Sequence, residues 1–416
     1  MEQNEYAEAQ RGIWRRRAAR AFTVLLALCV FAMVAKIALE TDVFQVNFRL
    51  YYYAALAFNR GLNPYDSEVT RELAGGKFVL PCAYPPLSLN LLRPFALLDY
   101  AASYRCFLLL KCAAFALCLW LWQRKFLDGG IDNVFLFVCL IGFNYAIFYD
   151  LQAGNVSSLA QTVLWLGLYA YTRGRLGWFV VCTVAASIFK FTPAFFLVLL
   201  LMTDGRKKWL WCAVGLAAFA LLHGASYALY PDLTRAFLEN TGKVQGMVSA
   251  SSALAENFPG APATWPLIKT LFIRAGERLG TPLPNTLPVL AFAVLVLAVF
   301  GVTWLALTRS AEPDSRRRNI LFVVLACLVY LLVTPRLMLY EYVLGLLPAY
   351  YVVRRLRYVN AAFLLVVLMV PAPITGRAPA FNFLIETCTN YYPLLVVYVV
   401  WALCVYDVIF HEGRHS

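Results

Sequence analysis

Lys190 and Arg336 stand in nearly the same setting, a basic residue beside Thr and Pro where two short apolar arms meet: Phe189-Lys190-Phe191-Thr192-Pro193 and Thr334-Pro335-Arg336. A cation at bilayer depth costs on the order of 3 kcal/mol or more unless it finds a partner or a wet cavity. Such a residue can snorkel to the headgroups or pair with a buried carboxylate such as Glu341. It can also receive an anionic group delivered from the bilayer, and a lipid phosphate is the obvious one. Short or broken helices are tolerated in a membrane where they line a polar cavity, so a cavity is expected here on either reading.

A second group of polar residues precedes them. Asn47-Phe48-Arg49-Leu50-Tyr51-Tyr52-Tyr53, Gly61-Leu62-Asn63-Pro64-Tyr65-Asp66 and Tyr84-Pro85-Pro86 fill one segment with Tyr, Asn and Pro. Aromatic belts at membrane interfaces explain Tyr enrichment in general, but not this arrangement. Asp150, Gln152 and Asn155 lie together further on. Their amide and carboxylate groups can hydrogen-bond sugar hydroxyls, or simply close an exposed turn. No His, Cys, Asp and Glu combination has metal-ligand spacing; of the three histidines, His223 lies in an apolar run and His411 and His415 in the tail. Neither a metal nor a cofactor is expected.

The elements that must position these residues are membrane helices. The chain is 62% hydrophobic, 15% aromatic and 14% charged, which excludes an ordinary soluble globular protein. Its net charge of +13 sits in short clusters beside apolar runs (Arg15 to Arg20, Arg124-Lys125, Arg173 and Arg175, Arg206 to Lys208, Arg316 to Arg318, Arg354 to Arg357). That placement orients spans and meets anionic headgroups, so nucleic acid is set aside as a partner and the lipid bilayer is kept.

Placing every cluster in the cytoplasm gives an all-α polytopic membrane protein of about twelve spans, with both termini cytoplasmic. The expected spans are 21–39, 101–122, 134–149, 156–171, 177–189, 192–202, 209–230, 286–308, 320–333, 337–353, 358–370 and 391–410. A single long helix from Gly177 to Met202 competes with a hairpin at Lys190, but it strands one basic flank outside. The chain reads as one domain, 1–416. Residues 1–20 are a cytoplasmic N-terminus, 40–100 a first external loop, 231–285 a second one and 411–416 a cytoplasmic tail. Tyr84 to Leu98 is too short and proline-rich to cross and is assigned to the interface, as is an amphipathic helix over Pro266 to Gly280. Cys82 and Cys388 are the cysteines placed outside, where a disulfide can form; unpaired, Cys82 is expected to react with external thiol reagents.

In order and spacing, the Asn47 to Tyr52 stretch, Gly61, the Asn63-Pro64-Tyr65-Asp66 turn, Tyr84-Pro85-Pro86-Leu87, the Gln152 to Asn155 turn and Lys190-Phe191-Thr192-Pro193 resemble glycosyltransferase family 87. The resemblance continues more loosely through Tyr340-Glu341-Tyr342. It implies a GT-C-type glycosyltransferase fold with a long first periplasmic loop and interfacial helices. It further implies a bacterial inner membrane and inverting transfer of a hexose, mannose or a relative, from a polyprenyl-phosphate sugar donor to a lipid or glycan acceptor. Lys190 and Arg336 then fall to the donor phosphate. Arg49, Tyr51, Tyr52, Tyr65, Tyr84, Asp150, Gln152, Asn155 and Glu341 fall to substrate binding.

Transfer needs a base for the acceptor hydroxyl. Family members typically carry Asp where this chain has Asn47, and an amide cannot accept the proton as a carboxylate does. Three readings follow: a nearby acid such as Asp42 or Glu40 substitutes, the chain was altered to trap substrate, or this member has lost transfer. Asp42 is about a turn and a half from Asn47 if that stretch is helical; Glu341 and Asp150 are further candidates. Outside the transferase class, a lipid or solute transporter or flippase also uses short paired helices with midplane charges.

Overall fold

A computed structural model describes residues 2–40, 45–129, 132–203, 207–250, 261–310, 314–356, 358–369 and 389–410. Every regular element among them is helical. In chain order these are α1 (Glu2–Leu39), α2 (Val46–Asn59), α3 (Ser67–Leu73), α4 (Pro86–Leu92), α5 (Tyr100–Leu121), α6 (Asn133–Ala153), α7 (Ser157–Thr172), α8 (Leu176–Ala186), α9 (Lys207–Leu229), α10 (Pro231–Ala250), α11 (Thr264–Leu279), α12 (Thr286–Arg309), α13 (Ser315–Val333), α14 (Leu346–Arg355), α15 (Tyr358–Met369) and α16 (Tyr392–Phe410). 3₁₀ segments occupy Arg93–Leu97, Thr192–Met202 and Leu339–Gly345.

Three of the long helices, α5, α6 and α13, start on aspartate caps. Asp99 accepts from Ala102 N, Asp132 from Val134 N and Phe135 N, and Asp314 from Arg316 N, each satisfying amides that the helix leaves free. Six helical stretches are long and apolar enough to cross a membrane: Arg20–Leu39, Tyr100–Phe126, Asn133–Ala153, Lys207–Leu229, Thr286–Arg309 and Tyr392–Phe410. This is a polytopic membrane protein. The remaining expected spans are also helical, but they are shorter or, in α13, open on three arginines.

The centre of the bundle is α13. Every residue from Ile320 to Leu332 is buried, as expected of a helix that is apolar all round and enclosed by neighbours. At the periphery, α1, α9 and α12 leave most of their apolar side chains uncovered, a surface that hydrocarbon covers in a bilayer. The chain breaks between α8 and Thr192 rather than running on as one helix from Gly177 to Met202. Pro193 suits such a break: it sits in the first turn of the new segment, where its missing N–H is no loss, and it could not make the bond back to the Phe189 carbonyl that a continuous helix needs. A second break, from Thr334 to Met338, follows α13.

In α6 the backbone leaves the helix at Gly142, and Phe143, Asn144 and Tyr145 adopt left-handed φ values of 50°, 58° and 60°. Such residues cost about 1–2 kcal/mol each. Phe143 offsets part of this by burying its ring against Tyr342, where a side chain on Gly345 would collide with it.

The first loop folds into α2, α3, α4 and a 3₁₀ turn rather than an open segment. The seven residues of α4 span about 10 Å, far short of a crossing. Helix α10 leans over this loop: Asn240 Nδ2 donates to the Cys82 carbonyl at 2.7 Å, and Phe237 packs on Tyr65 and Phe191. Helix α11 covers the expected amphipathic stretch and is tied to α13 by Thr264 Oγ1 donating to the Leu332 carbonyl.

Cys82 corrects an expectation. Its thiol is buried beneath α10, and burial pushes its pKa up to about 12; Cys388 lies outside the described residues. Only the thiolate reacts, so at pH 8 about one Cys82 in ten thousand is reactive. Cys82 should therefore resist an impermeant maleimide in intact cells until the pH approaches 12. A cysteine replacing the exposed Ser67 should be labelled from outside, and one replacing the exposed Ser315 should stay protected. External labelling at Ser315 would invert the orientation.

Candidate functional site

Lys190 stands in the break between α8 and the 3₁₀ segment, and its ammonium group is not left to the headgroups. Nζ lies 2.7 Å from Glu341 Oε1, donates to Ser157 Oγ at 3.0 Å and sits 5.1 Å above the Tyr340 ring. Glu341 is held from behind. Its Oε2 accepts the Met338 amide at 2.8 Å, which starts the 3₁₀ turn Leu339–Gly345. Its carbonyl accepts from Gln161 Nε2 at 3.4 Å. The two chain breaks noted in the sequence thus meet, one supplying the cation and the other the carboxylate. The pair is not sealed, because the Lys190 side chain keeps 24% of its exposure and Glu341 10%.

Arg336 does not share this network. It lies exposed in the segment between α13 and the 3₁₀ turn, so the two cations that looked alike in sequence occupy different environments.

From the first loop, three tyrosines converge on the same region. The Tyr51 hydroxyl donates to the Tyr84 hydroxyl at 2.6 Å, Tyr65 donates to the Tyr84 carbonyl at 2.7 Å, and the Val156 amide donates to Tyr51 at 3.4 Å. Tyr84 and Tyr340 lie near enough to Lys190 to feel its charge, and Tyr340 stacks on Tyr149. Tyr52 and Arg49 turn elsewhere, donating to the Leu98 and Phe78 carbonyls. Asn47 is half-buried in the first turn of α2; Asp42 lies outside the described residues. Glu40 is exposed beside Lys36, at the end of α1.

The model of glycosyltransferase family 87 matches residues 83–335, well over half of the chain. The chain belongs to glycosyltransferase family 87. No curated protein and no solved structure matches it. As a family 87 member it is a membrane glycosyltransferase, and its site must serve a sugar donor and an acceptor. The matched span takes in Tyr84, the Asp150 to Asn155 turn and Lys190. It leaves out the Asn47 to Asp66 stretch and Glu341; of these, Tyr51, Tyr65 and Glu341 join the site through the contacts above.

Within the family 87 chain, the turn between α6 and α7 is built around a residue that the sequence reading passed over. Lys111, in the middle of α5, is fully buried; its Nζ pairs with Asp150 Oδ2 at 2.8 Å and donates to the carbonyls of Asp150 and Asn155. Asp150 is therefore sealed under a lysine, with no access to an acceptor. Asn155 is buried too, and its Oδ1 accepts from the amide and hydroxyl of Ser157. Gln152 is half-buried and outside this network. A lone Lys in an apolar run is a functional signal in a membrane chain; averaging over the 101–122 stretch hid it. Ser157 and Gln161 carried no such signal, because only the packing of α7 on the second break reveals them. A cleft lined by Gln123, Asp132 and Arg354 opens at the far end of α6, away from these residues.

Gly154, which ends α6, takes φ +64°, and a Cβ there would stand 2.6 Å from Phe48 Cβ. Gly154→Ala should therefore lower the unfolding midpoint in detergent, with a cost of at least about 1 kcal/mol from the left-handed backbone alone. Glu341→Ala leaves Lys190 as an uncompensated charge and should cost about 1–3 kcal/mol, below the range for sealed pairs because water reaches Lys190. The joint replacement Lys190→Met with Glu341→Leu should cost less than Glu341→Ala. Equal losses in the single and joint variants would show that the ion pair is not coupled.

Proposed function

We propose that this transferase moves a hexose, mannose or a close relative, from a polyprenyl-phosphate sugar to a hydroxyl of a lipid or glycan acceptor on the outer face of a bacterial inner membrane. The chain would cross about twelve times with both termini cytoplasmic. The observation that carries the reading is the Lys190 and Glu341 pair, 2.7 Å apart where two broken segments meet. It sets a cation for the leaving phosphate beside a carboxylate for the incoming hydroxyl.

In the step itself the acceptor oxygen attacks the anomeric carbon from the face opposite the phosphate. The carbon–oxygen bond to phosphate breaks and its electron pair stays on the phosphate, so configuration inverts. The acceptor proton passes to Glu341. Lys190 neutralises the departing charge; Arg336, exposed on the segment that leads to Glu341, is the second cation proposed for the phosphate. Donor phosphate competes with Glu341 for Lys190; when it wins, the lysine side chain swings with it to the leaving-group face of the sugar, while Glu341, held at Oε2 by the Met338 amide, stays on the acceptor face with Oε1 free to act as the base. The tyrosines around Lys190 offer rings and hydroxyls to the sugar. Asp150 is unsuited to the role of base because Lys111 occupies it, and Asn47 is unsuited because it is an amide.

Release of polyprenyl phosphate from a polyprenyl-phosphate hexose tests this directly. Glu341→Gln should lower turnover about a hundred- to ten-thousand-fold with donor binding retained. Lys190→Ala should weaken donor binding about ten- to hundred-fold, the loss expected for a charge-assisted contact. If Glu341→Gln turns over normally and Asp42→Asn does not, the base is Asp42. If the parent is silent and Asn47→Asp switches it on, the chain is a disabled transferase.

A further inference from the structure

We infer that Lys111 is a positioning residue for the transferase site, setting where Lys190 stands by clamping the turn between α6 and α7. The clamp grips both sides of Gly154: the Asp150 carbonyl in the last turn of α6 and the Asn155 carbonyl just before α7 each accept from Nζ, and Asp150 Oδ2 takes the third contact. Two of the contacts are hydrogen bonds to carbonyls and the third is the ion pair, and the lysine side chain has no exposure.

From the clamp a hydrogen-bonded chain with a fixed direction runs to the site. Asn155 Oδ1 takes the Ser157 hydroxyl proton at 2.7 Å, which leaves the lone pairs of Ser157 Oγ to accept from Lys190 Nζ at 3.0 Å. The same turn presents the Val156 amide to the Tyr51 hydroxyl, so the tyrosine cluster is registered from the same point. Stability alone does not account for the pair. A buried ion pair exchanged for well-packed apolar side chains is often neutral or stabilising, whereas apolar side chains could not hold two carbonyls at fixed distances from one atom.

The catalytic consequence rests on the proposed role of Lys190 at the donor phosphate; the geometry does not. The test uses the full chain in detergent carrying Lys111→Met with Asp150→Leu, and separately Asn155→Ala, which keeps the ion pair and the Asn155 carbonyl but removes Oδ1. Thermal unfolding, acylation of Lys190 by an activated ester followed by mass spectrometry, and binding of polyprenyl phosphate are measured. Both variants should unfold close to the parent, change the Lys190 acylation rate severalfold and weaken polyprenyl phosphate binding about tenfold, as for the loss of one well-made contact.

A folded variant with Lys190 acylation unchanged overturns the inference. Should the paired variant not fold, Asn155→Ala decides by the same readout. If acylation shifts while neither parent nor variants bind polyprenyl phosphate, the donor assignment fails and the positioning role stands.

Discussion

A cation inside an apolar helical bundle must be met by a partner, and two lysines here are met by carboxylates from other parts of the chain. Lys111 pairs with Asp150 and Lys190 with Glu341. The attraction in each pair offsets a desolvation cost that either charge alone could not bear. Around these pairs the rest is arranged: α13 fills the centre, α7 packs between the two lysines, and the turn from Asp150 to Asn155 is attached to one pair and, through Ser157, to the other.

Exposure separates the two pairs in role. The first has 0% and 1% of its side-chain surface open, and its lysine also holds two backbone carbonyls, so it can hold but not exchange. The second retains 24% and 10%, and the lysine shares its ammonium group between a carboxylate and a serine hydroxyl. An open pair can trade partners when a stronger anion arrives, which is the behaviour a phosphate site needs.

Much of this was legible in the sequence, for reasons that can be named. The break at Lys190 was readable because Pro193 is a local signal, and the apolar runs became helices because nothing in them competes. The tyrosines of the first loop were flagged as residues, but not which of them face the site: Tyr51, Tyr65 and Tyr84 converge, whereas Tyr52 and Arg49 bond to distant carbonyls. That is a tertiary fact with no local signature. Lys111 was hidden by the apolar residues around it. The left-handed turn at Phe143 to Tyr145 had no signal beyond Gly142, since it depends on Gly345 and Tyr342, some two hundred residues away.

Asn47, in the first turn of α2, is an amide and cannot take the acceptor proton. With an amide there, and Asp150 committed to Lys111, the described carboxylate best placed beside Lys190 is Glu341, and its Oε1 is occupied by that same lysine until something displaces it. On the proposed reading, base and phosphate ligand are therefore one unit rather than two. Donor binding, by drawing Lys190 away, both neutralises the leaving group and releases the carboxylate, so an acceptor hydroxyl arriving first would find no free base. The order of events then follows from a single lysine having two competing anions.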